Sequence, residues 1–349
     1  IHKILTQWDN LLENNPEAVS DSLKTINPQT LSRENRAYYN LLKTISDDKT
    51  YFEFRNDSLI NRVVDYYHLH EPYSNNYIRA LTYKGIVRTR MGITDSTVYE
   101  PLKKADHIFH TQKNPDPATG YILHYFMGNT HYYNGNFELA GKYFQESLHN
   151  AKLKNDSLHI FDAYLAIYWN KMAQSDFDTG KKYLDSLSFF FDKIPDKNYL
   201  ILNAQSVYFE ATKEFDKALD CDKKLLTLTK SQKEDIDFSS LYFAISTRYS
   251  TLNQLDSAML YGQIAIESIV DENKKENYLF YDNVANIAEK QQNYSLANTY
   301  RQSAFTMYEK SVKDRLNTQV MELEKKYDLS EAENIALKSQ QNTLIIAII

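Results

Sequence analysis

Glycine and proline are scarce in this 349-residue chain, at eight and seven positions, which excludes a loop-rich or disordered protein and leaves a composition suited to long helices. The single cysteine, Cys221, excludes an internal disulfide and a thiolate metal cluster. Asp220 and Asp222 flank it and raise its pKa, so it is not expected to be a reactive thiol. No block of five or more lysines and arginines occurs, and the net charge of −6 is spread over interspersed signs, so nucleic acid is not an expected partner. Enzyme signatures are missing as well. There is no G-x-x-x-x-G-K-S/T, no G-x-S-x-G and no H-E-x-x-H, which removes phosphate cradling, the nucleophile elbow and the zinc-protease helix.

What is present is a repeat. Gly128-Asn129-Thr130-His131-Tyr132-Tyr133-Asn134-Gly135-Asn136-Phe137-Glu138-Leu139-Ala140 continues to Tyr143-Phe144 and Ser147-Leu148. Gly128 allows close approach of a neighbouring helix, Gly135 and Asn136 break the first helix, Phe137 opens the second and Ala140 marks their crossing. The punctuation recurs as Ser175-Asp176-Phe177 with Gly180, Glu214-Phe215-Asp216 with Ala218, Gln254-Leu255-Asp256 with Ala258, and Asn293-Tyr294-Ser295 with Ala297. The aromatic residue or leucine stands at 137, 177, 215, 255 and 294, a period of 38 to 40 residues, and a glycine or alanine follows three residues later each time. Flanking apolar residues fall at three- and four-residue steps, such as Tyr164, Ile167 and Tyr168 before a turn and Tyr183, Leu184 and Leu187 after it, so each repeat is two helices.

These residues resemble the tetratricopeptide repeat family, most closely from Tyr121 to Leu148 and more loosely in the other four repeats. The resemblance implies an all-α fold, a right-handed α-solenoid of helical hairpins. The period exceeds the family's roughly 34 residues, implying longer helices or links, with HEAT-like arrays as the alternative. Upstream, Tyr77 to Met91 pairs with Val98 to Phe109, Asn35 to Ile45 with Ser58 to His68, and Trp8 to Leu12 with Ala18 to Ile26 after Asn15-Pro16. The domain reading is 1–72 degenerate N-terminal helical pairs, 73–310 tetratricopeptide-like repeat array, 311–343 charged coiled-coil-like linker helix and 344–349 the start of a truncated transmembrane helix. In the linker Leu316, Val320, Leu323, Tyr327 and Leu337, with Ser330 and Asn334, make a coiled-coil seam that could join a homodimer, the alternative being one long helix packed on the last repeat.

Leu344 to Ile349 is an unbroken apolar run. A membrane span needs about 20 such residues, so the run reads either as the beginning of a span or as a short helix docking into a core. Ile1 in place of Met points to something removed upstream. A repeat array, a charged helix and an isoleucine-rich segment resemble in layout the bacterial membrane-anchored tetratricopeptide sensors, which implies a membrane partner and a periplasmic repeat domain.

By the same resemblance, ligands are received on the concave face of each hairpin's first helix. The inward positions map to Tyr125, Asn129 and Tyr132, to Leu165 and Trp169, to Asn203, to Phe243 and Thr247, and to Asp282 and Asn286. Aromatics and amides in alternation suit an extended peptide, a protein segment or a carbohydrate, and suit packing between repeats equally. The lysines of a carboxylate clamp for chaperone tails are missing there. Histidines occur as His68 with His70, His107 with His110, and His124 with His131, without the spacing of a metal motif. Asp176-Phe177-Asp178-Thr179-Gly180 starts like a calcium loop but has Leu187 where a bidentate glutamate is needed. No metal or cofactor is expected. The function expected is non-catalytic binding or sensing in a membrane-anchored regulator, with a static scaffold as the alternative.

Overall fold

The computed structural model describes residues 1–231, 238–271, 274 and 276–348, with side chains for all of these except 230–231, 314–315, 318, 322, 325–326 and 328–348. Among the described residues every regular element is helical. The chain forms two compact units, Ile1–Ile201 and Leu202–Ile349.

The first unit is a run of five hairpins: α1 (His2–Leu11) with α2 (Pro16–Lys24), α3 (Arg33–Lys49) with α4 (Ser58–His70), α5 (Asn75–Arg90) with α6 (Ser96–Thr111), α7 (Pro117–Tyr133) with α8 (Phe137–Lys154), and α9 (Ser157–Ala173) with α10 (Phe177–Ser188). The helix α11 (Asn198–Ala211) begins at its end, and its larger part belongs to the second unit with α12 (Phe215–Ser231), α13 (Ser239–Thr251), α14 (Leu255–Glu267), α15 (Tyr278–Lys290) and α16 (Tyr294–Ile348). Within the first unit, first helices touch first helices in succession, α1 on α3, α3 on α5, α5 on α7 and α7 on α9. They form one continuous layer, and that layer carries the candidate site.

The recurrent turn explains the repeat. Two residues before each aromatic or leucine the backbone enters the left-handed region, at Gly135, Ser175, Lys213, Asn253 and Gln292, with φ between 57° and 73°. The next residue's amide then closes back on the outgoing helix: Asn136 N–H donates to His131 O at 2.9 Å, Asp176 to Lys171 O at 3.0 Å, Glu214 to Phe209 O at 2.7 Å, Gln254 to Tyr249 O at 2.9 Å and Asn293 to Ala288 O at 2.9 Å. This is the six-to-one closure of a Schellman end. Asp176 also caps α10 by accepting from Thr179 N–H at 3.2 Å, so the stretch that begins like a calcium loop is a helix start.

Small residues set the hairpin spacing. A Cβ on Gly128 would lie 2.4 Å from Phe144 Cδ1, and one on Gly85 would lie 2.7 Å from Leu102 Cγ. Ala140, Ala218 and Ala258, three residues into the second helix of their hairpins, are fully buried. The largest side chains closed off from water are Tyr77, Tyr168, Phe144 and Phe161, each full burial contributing about 1.5–3 kcal/mol for a side chain of this kind. The second unit has its own core around Leu219, Leu226, Ile245, Tyr249 and Ile287.

Two expectations about the C-terminal region meet the structure differently. The backbone runs through Ser311 as one helix, and the described seam residues Leu316, Val320, Leu323 and Tyr327 are exposed, while the side chains of Ser330, Asn334 and Leu337 lie outside the described residues. The membrane-anchored, periplasmic placement is corrected: no helix of the described residues is long and apolar enough to cross a membrane.

Candidate functional site

The layer of first helices in the first unit carries a cleft of about 340 Å³. Its floor and walls include Asp9, Glu13, Lys49, Asn75, Arg79 and Asp116, drawn from α1, α3, α5, α7 and the residues beside them. The charges are paired. Arg79 presents its guanidinium fork to Asp9, Nη1 to Oδ2 at 2.7 Å and Nη2 to Oδ1 at 2.6 Å, and Tyr38 donates its hydroxyl to the same Oδ2 at 2.7 Å. Lys49 Nζ donates to Glu13 Oε1 at 2.9 Å, and His159 Nε2 lies 3.1 Å from that oxygen. Burial alone would raise the Glu13 carboxyl, but His159 and Lys49 beside it hold it down to about 2.

Asp116 caps α7 by accepting from the amides of Ala118 and Thr119, each at 3.2 Å, and Asn75 Nδ2 donates to its Oδ2 at 3.3 Å. The opposite end of that amide, Asn75 Oδ1, is buried without a hydrogen-bond partner. A buried acceptor left unmade costs about 1–3 kcal/mol.

The sequence-derived groove residues of this unit continue the same face. Ala118 and Ile122 line the cleft, and Tyr125 and Asn129 stand seven residues further along α7, two turns on and on the same side. Tyr125 is half-buried and stacked on Tyr121 with ring centroids 5.8 Å apart, one turn before Asn129 on the same helix. Burial pushes its hydroxyl up to about 12, with the Asp162 carboxylate on α9 adding to the effect. Tyr132 belongs instead to the hairpin tip, edge-on to Phe137 at 5.6 Å. Leu165 and Trp169 are half-buried on α9, with Trp169 edge-on to the buried Tyr168 at 4.9 Å.

In the second unit, Thr247 on α13 and Asn286 on α15 line one cleft of about 450 Å³ together with Ser250, Asn283, Glu289 and Lys290. Asp282 and Asn286 face Arg301 of α16, whose Nη2 donates to Asn286 Oδ1 at 3.1 Å and to Glu289 Oε2 at 2.7 Å. Phe243 packs on Phe280 with centroids 5.0 Å apart, and Asn203 is exposed on α11. Behind this face Arg248 holds Glu210 through two bonds of 2.8 and 2.9 Å, and Ser206 donates to the buried Asp222. Cys221 is buried, and burial, with Asp220 and Asp222 adding, pushes its thiol up to about 11, so it stays protonated at neutral pH.

The charged cleft was not visible from the sequence. Asp9 and Arg79 are 70 residues apart and Glu13 and His159 are 146 apart, so each reads singly as surface charge. The histidine pairs of the sequence also separate. His68 meets Tyr77 and His131 meets Tyr99, both at 3.2 Å, whereas His110 meets His124 with ring centroids 5.7 Å apart.

Sequence comparison matches the chain to no family model and to no curated protein. Solved structures of the same fold are numerous. The apo form of the quorum sensor NprR from B. thuringiensis superposes with a TM-score of 0.62 at 15% identity, covering 87% of this chain and 97% of that one. The apo form of RapI gives 0.65 at 12%, covering 90% and 98%. NprR in complex with its cognate peptide NprX gives 0.56 at 15%, covering 91% and 96%. At such identities the likeness is one of fold, and it agrees with the turns, the small-residue crossings and the layered first helices: the chain is an all-α solenoid of tetratricopeptide-like helical hairpins.

Proposed function

We propose that this chain is a non-catalytic, ligand-sensing protein that takes an extended peptide on the first-helix face of its first unit, from the charged cleft to Tyr125 and Asn129. The observation that carries the reading is the cleft itself, lined by Asn75 and by the matched pairs Arg79–Asp9 and Lys49–Glu13. An extended peptide supplies a backbone N–H every residue, and its own charged groups can exchange with the Arg79–Asp9 and Lys49–Glu13 pairs. Tyr125 and Asn129 add an aromatic surface and an amide at the other end. One solved protein of this fold, NprR, is described with a cognate peptide, which supports the class of ligand.

The test is a peptide-display selection on the full chain, followed by titration of the enriched peptide against Asn75→Ala and Asn129→Ala. Each variant is expected to lose about tenfold in affinity, the worth of one or two hydrogen bonds, with an unchanged melting temperature. Failure to enrich any peptide, or an enriched peptide that binds both variants as it binds the parent, overturns the proposal.

A further inference from the structure

Three consecutive helices bring four metal-ligating side chains to one place. Asp106 and His110 lie one turn apart on α6, His124 on α7 and Glu146 on α8. Each offers one ligand atom, and all four atoms fall within 4.8 Å of one another. His110 Nε2 is 3.2 Å from Asp106 Oδ1 and 3.6 Å from Glu146 Oε2, and His124 Nε2 is 3.3 Å from both oxygens. A tetrahedral ion with nitrogen and oxygen ligands at roughly 2.0–2.1 Å spaces those ligands by about 3.3–3.4 Å. The four nitrogen–oxygen contacts, 3.2 to 3.6 Å, bracket that spacing.

Hydrogen bonding does not account for the arrangement. Of the four nitrogen–oxygen contacts, only that between His124 and Asp106 is aligned as a hydrogen bond. Glu146 Oε2 is buried with no hydrogen-bond partner, although two imidazole nitrogens stand within 3.6 Å of it. A neutral imidazole carries one N–H, so His124 Nε2 cannot satisfy both carboxylates. One pair, His124 with Asp106, is joined by a hydrogen bond, and the Glu146 oxygen beside them is left without one.

The surroundings orient the set. Lys103 Nζ binds the other oxygen of Asp106, Oδ2, at 3.1 Å and leaves Oδ1 to the cluster. Asn150 Nδ2 lies 3.3 Å from the second ring nitrogen of His124, Nδ1, and donates to the Glu146 carbonyl at 2.8 Å; a metal-bound His124 carries its proton on Nδ1, so ion binding requires that amide to turn its oxygen to the ring. Phe109 stands edge-on to both imidazoles, at 5.6 Å from His110 and 5.3 Å from His124, and screens them from water on that side. His124 is 1% exposed and His110 56%, so the site has a closed floor and an open mouth.

The geometry points to a site for one divalent transition-metal ion of the zinc class, bound by Asp106, His110, His124 and Glu146 and clamping α6, α7 and α8 together. Two imidazoles and two carboxylates without a thiolate suit zinc, cobalt, manganese or iron(II), and four protein ligands around one ion are the pattern of a structural site. The ion would tie the hairpin of α5 and α6 to the hairpin of α7 and α8.

The experiment strips the full chain with a chelator, titrates it with Co²⁺ and Zn²⁺ and repeats both on His110→Ala and Glu146→Gln, chosen because these side chains are partly exposed. The result expected is one ion per chain, an intense tetrahedral cobalt spectrum, a melting temperature raised by Zn²⁺, and at least a tenfold loss of zinc affinity in each variant. A weak octahedral spectrum or no stoichiometric uptake by the parent chain overturns the site, and so does unchanged affinity in the folded variants. Should either variant fail to fold, the parent's cobalt spectrum decides.

Discussion

Gly128 and Glu13 show what single residues contribute here. A methyl on Gly128 would meet the Phe144 ring, which is 1% exposed and has nowhere to move, so Gly128→Ala is expected to cost about 1–3 kcal/mol in urea melts. Unchanged stability would mean that α7 and α8 are not in this contact. Glu13 is a carboxylate held down to about 2 from an ordinary 4.5, so its stabilisation is complete above about pH 4.5 and is lost as the pH falls toward 2. With a third of its side chain exposed, that stabilisation is worth roughly 1–2 kcal/mol after screening. Glu13→Gln should therefore narrow the difference in stability between pH 6 and pH 3 relative to the parent, read by denaturant midpoints at the two values. An identical difference would remove Glu13 from the ion pairs with Lys49 and His159. Gly128 was legible in the sequence because a small residue at a helix crossing has one packing meaning. Glu13 was not, since a carboxylate after a helix looks the same whether or not a histidine 146 residues away folds onto it.

At the scale of the element, the hairpin turn repeats with more fidelity than the sequence does. All five turns use a left-handed residue and the same backbone closure, yet only Gly135 and Asn253 are types that favour that conformation. Ser175, Lys213 and Gln292 are held there by the helices packing on either side. Lys213→Gly and Gln292→Gly should therefore each raise stability, by about 0.5–1 kcal/mol, since the left-handed penalty is relieved against a smaller entropy cost in the unfolded chain. Loss of stability in both would show that the side chains contribute more than the strain they carry. The helices themselves were legible: the sequence-derived starts and ends of α3 to α6 fall within a few residues of the observed ones, because apolar spacing and caps act locally. The left-handed residues were not, because tertiary packing imposes them.

For the whole molecule, a 38 to 40 residue period suffices for the solenoid, since each hairpin must bury its apolar face on the next. The membrane-anchored placement rested on the C-terminal apolar run, and no helix of the described residues is long and apolar enough to cross a membrane. The proposed binding face stands between these cases. Tyr125 and Asn129 were placed on it by resemblance, whereas its charged cleft and the cluster of Asp106, His110, His124 and Glu146 exist only once distant helices stack. The direct measurement is hydrogen exchange on the full chain with and without a selected peptide. The account expects added protection in the C-terminal half of α1, the first turns of α5 and α7, and the stretch around Tyr125 and Asn129, with little change in α13 and α15. Protection confined to α13 and α15, or none in the first-helix layer, would contradict it.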